Sequence, residues 1–234
     1  MASPSHPTKL RIGVMLESVQ LSDIIGIDIL GNLSREYFRG AITLDPSLKR
    51  FESRAIDMEF FYLATTLDPA FVTPGLKVVP TVTYDDCPRD LDIVITGGPL
   101  PSHRPPQAER FIREAWPKTR VWMTTCIGSM WLASAGVLDG RKCTTNRAAL
   151  GLARDMHTGV EWLDQRWVVE EKVFDGAQRE GRKGELWTSG GAGAGINMIA
   201  TYCLQNFDKE FVDVLALDPL EFRLNGNMSQ FYAA

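Results

Sequence analysis

The chain has 234 residues, of which 44% are hydrophobic and 23% charged, with a formal net charge of −4. That length and apolar content suit one large α/β domain. The absence of a basic excess argues against nucleic acid as a partner, and no apolar run reaches the roughly 18–20 residues needed to span a membrane.

Residues 1–9 are polar and rich in Pro and Ser, which predicts a disordered tail before a single domain over 10–225. Residues 10–16 form a short apolar run typical of a central parallel strand. A helix is expected over 22–33, with Ser22 or Asp23 as its cap. Residues 34–55 are more polar and less periodic, and read as an insertion or a helix-loop excursion. Strands are predicted over 56–64, more weakly over 76–83, and over 91–96, where the run ends in Gly97, Gly98 and Pro99. A helix over 107–116 leads to a strand ending at Cys126.

The stretch 119–138 carries the chemistry. A β-branched, apolar strand meets an abrupt turn at Cys126, Ile127, Gly128 and Ser129, then an Ala-, Leu-, Met- and Trp-rich helix. A cysteine there sits on a nucleophile elbow. Unpaired N–H groups and the helix dipole are expected to favour its thiolate. Further on, 142–145 reads as a short strand, 148–155 as a short helix, and 167–174 with 185–189 as a hairpin. Gly190–Gly195 precedes a helix to about 206, a last helix covers 208–217, and 226–234 is expected to be loose.

Strands alternating with helices imply a mostly parallel sheet covered on both faces, with ligands beyond the carboxyl ends of the strands. Gly97–Gly98, Cys126, Gly190–Gly191, Glu17 and Asp23 are all expected on that edge. Cys126 is the candidate nucleophile, and Asp23 the candidate acid/base that moves its proton. The N–H groups of Gly97, Gly98 and Ile127, with Gly191, are candidate anion-hole and substrate contacts. Glu17, Asn146 and Ser189 are secondary candidates, and His103 reads as a surface histidine. The four cysteines, Cys87, Cys126, Cys143 and Cys203, are scattered. This argues against a zinc site or a disulfide framework and fits a reducing, cytoplasmic setting.

Six segments carry a family resemblance: 91–99, 125–129, 132–140, 143–145, 160–162 and 188–196. In that order they resemble the DJ-1/PfpI superfamily, which implies a flavodoxin-like fold with an elbow cysteine. Val19, Gln20, Leu21, Ser22 and Asp23 with Gly26 resemble the isocyanide hydratase branch, which carries an Asp at the position of Asp23. This chain has Ile127 where that branch commonly has Thr, and Asn146 where it commonly has His. The resemblance implies a homodimer with no metal and no organic cofactor, acting on a small electrophilic substrate. Isocyanide hydration is the first expectation. A glyoxalase-like addition to an aldehyde and a redox-sensing, non-enzymatic thiol are the alternatives.

Overall fold

The computed structural model describes residues 9–176, 183–222 and 230–232. The chain begins with β1 (Lys9–Met15), followed by two short helices, α1 (Leu21–Ile24) and α2 (Ile27–Gly31), and by α3 (Arg35–Leu44). A 3-10 helix, Pro46–Arg54, leads into β2 (Asp57–Ala64). Three short strands follow: β3 (Ala70–Val72), β4 (Leu76–Val78) and β5 (Val82–Thr83). Next come β6 (Ile93–Thr96), α4 (Pro106–Ala115), β7 (Val121–Thr124) and α5 (Gly128–Ser134). The remainder is β8 (Lys142–Cys143), α6 (Leu150–Met156), β9 (Glu161–Trp162), β10 (Trp167–Lys172), β11 (Gly184–Ser189), α7 (Ala192–Asn206), α8 (Lys209–Val212) and the π-turn Asp213–Leu217.

Seven strands form one sheet in the order β10-β11-β7-β6-β1-β2-β5. All pairings are parallel except β10 with β11, the expected hairpin. The period-2 alternation of the central strands divides the core into two layers. Ile12, Val14, Ile93, Ile95, Val121 and Met123 face α7 and α8, while Met15, Val94 and Trp122 face α4 and α5. Every one of these side chains is sealed from solvent, and burial of each aliphatic one contributes roughly 1.5–3 kcal/mol.

Register aligns the carboxyl ends of the strands. Met15 pairs with Thr96, Thr96 with Thr124, and Thr124 with Thr188. The residues just beyond this row form the predicted edge, which carries Glu17, Gly97, Cys126 and Gly190. Segment 34–55 is an ordered helix and 3-10 turn. It begins beside Ile56, where Arg35 N–H donates to the Ile56 carbonyl, at the opposite end of the sheet from Cys126. Phe38 and Phe51 pack on Phe211 there, so this segment braces the fold and does not cover the elbow.

Several expectations need correction. The single helix over 22–33 is split into α1 and α2 around Ile25 and Gly26, where a Cβ on Gly26 would press on the end of the Ile199 side chain. Asp23 is inside the first turn of α1, whose cap is Gln20, and its carboxylate turns away from the helix backbone. The weak strand over 76–83 is two strands: β4 pairs antiparallel with β3, and β5 joins the main sheet. Lys9 already belongs to β1, while residues 1–8 lie outside the described residues. Of the C-terminal stretch, 230–232 are described and packed: the Gln230 carbonyl accepts from Arg166 N–H at 2.7 Å, and Arg147 stacks on Tyr232.

Candidate active site

Cys126 occupies the left-handed region at φ +59, a conformation that costs a non-glycine residue of order 1–3 kcal/mol and persists only when its surroundings impose it. The surroundings do so with three hydrogen bonds. Cys126 N–H donates to the Gly190 carbonyl at 2.5 Å, and the Cys126 carbonyl accepts from Asn146 N–H at 3.2 Å and from Thr145 Oγ1 at 3.0 Å. Gly128 lets the turn close: a Cβ there would lie 2.5 Å from the Thr96 carbonyl oxygen and 2.7 Å from that of Gly97. Gly195 similarly gives α7 room to approach Thr125. The Gly-rich run after β11 therefore serves close packing of backbone around the elbow.

The sulfur is half-buried, and three groups reach it. Asn146 Nδ2 donates to Sγ at 3.3 Å, while its Oδ1 accepts from Ala148 N–H at 3.0 Å, which fixes the amide's orientation. The Ile127 N–H and the Asp23 carboxylate lie close enough to the sulfur to shift its titration, the first favouring the thiolate and the second opposing it. Asp23 is only 2% exposed. Its Oδ2 accepts from Gly98 N–H at 3.2 Å, and its Oδ1 is buried without a hydrogen-bond partner.

The electrostatics reverse one expectation. The thiol is pushed above its ordinary value, first by burial and then by the Asp23 charge, and the N–H donors of Asn146 and Ile127 only partly offset this. Burial also raises Asp23, to about 6, against the opposing hydrogen bonds from Gly98 and Cys126. At neutral pH the pair therefore rests as thiol and carboxylate, a nucleophile beside its candidate base.

The other candidates divide clearly. Gly97 and Gly98 permit close approach: a Cβ on Gly97 would press on Val19, and one on Gly98 on the Ile127 nitrogen. The Gly98 N–H is engaged by Asp23, so it holds the carboxylate instead of completing an anion hole. Gly191 caps α7, and a Cβ there would meet Asn146 Nδ2 at an ordinary 3.8 Å. Ser189 Oγ donates to the Thr124 carbonyl at 2.9 Å, tying β11 to β7 away from substrate space. Glu17 is not joined to the cysteine; its Oε2 accepts from Thr65 Oγ1 at 2.9 Å and lies 3.7 Å from His103 Nε2. His103 is thus part of a polar cluster, not a free surface histidine. Tyr232, whose hydroxyl abuts Gly190, was invisible in the sequence because nothing periodic marks the segment. Among the described residues no cluster of His, Cys, Asp or Glu could hold a metal ion, and no helix is long and apolar enough to cross a membrane.

A parallel α/β sheet with a cysteine on a strained strand-to-helix elbow defines a class of proteins built around one nucleophilic thiol. Residues 48–202 match the DJ-1/PfpI family, and the chain belongs to it. It is 30% identical over 148 residues to the isonitrile hydratase of Pseudomonas putida, covering 62% of this chain and 58% of that protein. It is also 35% identical over 101 residues to the deglycase PfpI of Pyrococcus furiosus, covering 41% of this chain and 59% of that protein. The matched region is less than two thirds of either curated relative. Among solved structures, a ThiJ/PfpI family protein from Pseudomonas syringae superposes with a TM-score of 0.66 at 20% identity, over 94% of this chain and 77% of that one. DJ-1beta of Drosophila melanogaster gives 0.59 at 15%, over 92% and 98%. At these identities the superpositions establish the fold alone.

Proposed function

We propose that the chain is a cysteine-dependent enzyme that hydrates an isocyanide to an N-substituted formamide. The observation that carries this reading is the thiol on a strained elbow, beside a buried carboxylate whose pKa is raised to about 6 and whose charge acts on it, in a chain similar to an isonitrile hydratase.

The Cys126 sulfur attacks the terminal carbon of the isocyanide and a C–S bond forms. The thiol proton passes to Asp23 and from there to the same carbon, leaving a thioimidate. Water then adds across the C=N bond: its oxygen bonds to the carbon, and Asp23 takes a proton that the nitrogen regains. The C–S bond breaks, the formyl C=O forms, and the thiol recovers its proton. One isocyanide and one water give one formamide. Asn146 and the Ile127 N–H support the negative charge that develops on sulfur, and Gly98 N–H keeps Asp23 aimed. Ile127 brings no hydroxyl to this turn, and in this reading Asp23 is the group that orients and deprotonates the water.

A second reading, thiol addition to an aldehyde carbonyl, draws on the similarity to the deglycase. It has weaker support, because the groups at the sulfur are an amide, an N–H and a carboxylate, with no imidazole to carry protons. Incubation with cyclohexyl isocyanide, with formamide followed by NMR and the protein by intact mass, separates the two. Turnover that disappears in Cys126→Ala is expected. Turnover that survives in that variant, or an inert wild type, rules the hydratase reading out.

A further inference from the structure

The left-handed backbone of Cys126 is held from outside its own turn, and the groups that hold it lead to a segment remote in sequence. The Gly190 carbonyl accepts the Cys126 N–H at 2.5 Å. Gly190 N–H in turn donates to the Arg166 carbonyl at 2.9 Å, and Arg166 N–H to the Gln230 carbonyl at 2.7 Å. Residues 230–232 are thus joined to the nucleophile by an unbroken ladder of three backbone hydrogen bonds.

Tyr232 touches this arrangement at two points. A Cβ placed on Gly190 would come within 2.7 Å of the Tyr232 hydroxyl. The Arg147 guanidinium lies over the Tyr232 ring, 4.4 Å from its centroid. Arg147 also donates from Nε and Nη2 to Asp164 Oδ2, at 3.2 and 3.0 Å, so it is held on its face by the ring and on its edge by the carboxylate. The preceding residue, Asn146, reaches Cys126 twice: its N–H donates to the Cys126 carbonyl at 3.2 Å, and its Nδ2 to Sγ at 3.3 Å. The two points of contact converge, because a Cβ on Gly191 would lie 3.8 Å from that same Nδ2. Tyr232 belongs to neither layer of the hydrophobic core, so its packing is directed at the loops around the cysteine.

We propose that Tyr232 is a positioning residue for Cys126. Its ring holds Arg147, and through it Asn146, while its hydroxyl backs Gly190, so that the sulfur keeps its amide donor and the elbow its conformation. Tyr232 acts through these neighbours and not on the reacting atoms. The proposal takes from the hydratase reading only that Cys126 is the reacting group.

The test is a double-mutant cycle on the rate at which iodoacetamide alkylates Cys126 at pH 7.5, followed by peptide mass mapping. Asn146→Ala removes a donor to the sulfur and is expected to slow alkylation about tenfold. Tyr232→Ala is expected to slow it about fivefold in the wild-type background, but less than about twofold in Asn146→Ala, where the group it acts through is already gone. Tyr232→Phe keeps the ring beneath Arg147 and should stay within about twofold of wild type. Thermal unfolding verifies that each variant folds. If Tyr232→Ala does not, Tyr232→Leu, which keeps apolar bulk without an aromatic face, takes its place in the cycle. An unchanged or faster rate without the ring, equal slowing in both backgrounds, or a slow Tyr232→Phe overturns the positioning role. Turnover of cyclohexyl isocyanide is scored separately. Its absence removes the hydratase reading while the alkylation cycle still decides Tyr232, and turnover with an additive cycle removes the positioning role alone.

Discussion

Asp23 is a carboxylate kept in a place that opposes its charge. Its pKa in the folded chain is about 6, against an ordinary 3.8, so the folded state holds a proton that the unfolded chain has released between those values. The resulting stabilisation is complete below about pH 4 and is lost as pH rises through 6. Near pH 7.5 the ionised group costs about 3 kcal/mol by the size of the shift. Asp23→Asn is therefore expected to be more stable than wild type in urea at pH 7.5, by up to that amount, with the two converging at pH 4. Equal stability at both pH values would refute the buried-charge description. As candidates, Cys126 and Asp23 both stood out in the sequence, the first from the strand-to-helix turn and the second from the motif around it. The direction of the thiol's shift was not. Sequence reasoning saw the helix start, but the depth of burial and the nearness of the Asp23 charge are tertiary facts, and they outweigh the N–H donors. Asn146 stood in the sequence as a departure from a pattern; only the structure shows its amide aimed at the sulfur by its own cap bond to Ala148.

At the scale of elements, the elbow depends on how closely β6 approaches the start of α5. Gly128 sits over the carbonyls of Thr96 and Gly97 with no room for a methyl group. Both obstacles are backbone, which cannot rotate aside as a side chain can. Gly128→Ala is expected to destabilise the fold by about 2–3 kcal/mol and to slow alkylation of Cys126; an unchanged unfolding midpoint would show that the turn is looser than described. The long elements β1, β6, β7 and the β10–β11 hairpin could be read from periodicity because burial on both faces, or alternation between them, writes directly into residue type. The short ones could not. Residues 76–83 have strand-like composition throughout, and only the break at Val79–Pro80 decides that one half turns back on β3 while the other extends the sheet. Likewise, the split between α1 and α2 falls at Gly26, where the side chain of Ile199, 173 residues away in sequence, occupies the place a Cβ would take, a contact that no local pattern encodes.

The whole molecule separates its tasks between the two ends of the sheet. One end carries the strained elbow and the buried carboxylate, while the other carries structural bracing. At the bracing end, Lys172 is 4% exposed and donates to the carbonyls of Trp116, Thr119 and Val173 at 2.6, 2.6 and 3.0 Å. Burial, with Arg141 beside it, pushes its pKa down to about 7. Replacing only this partner leaves buried carbonyls without a donor, so Lys172→Met is expected to cost about 2–3 kcal/mol in unfolding free energy. Isocyanide turnover per folded molecule should be unaffected. A variant as stable as wild type would show that the ammonium's burial cancels its hydrogen bonds. The topology and the location of the candidate site were legible from the alternation of strands and helices, because an open parallel sheet offers its ligand crevice beyond the carboxyl ends of the strands. Which groups meet there depends on register, the alignment of Met15, Thr96, Thr124 and Thr188 in one row.

The most direct measurement is kcat/KM for formamide production from cyclohexyl isocyanide as a function of pH. If Asp23 must be a carboxylate to receive the Cys126 proton, the profile falls on the acid side with an apparent pKa of about 6. A profile flat through that value, or one that falls only where an unperturbed carboxylate would titrate, contradicts the proposed division of roles between Cys126 and Asp23.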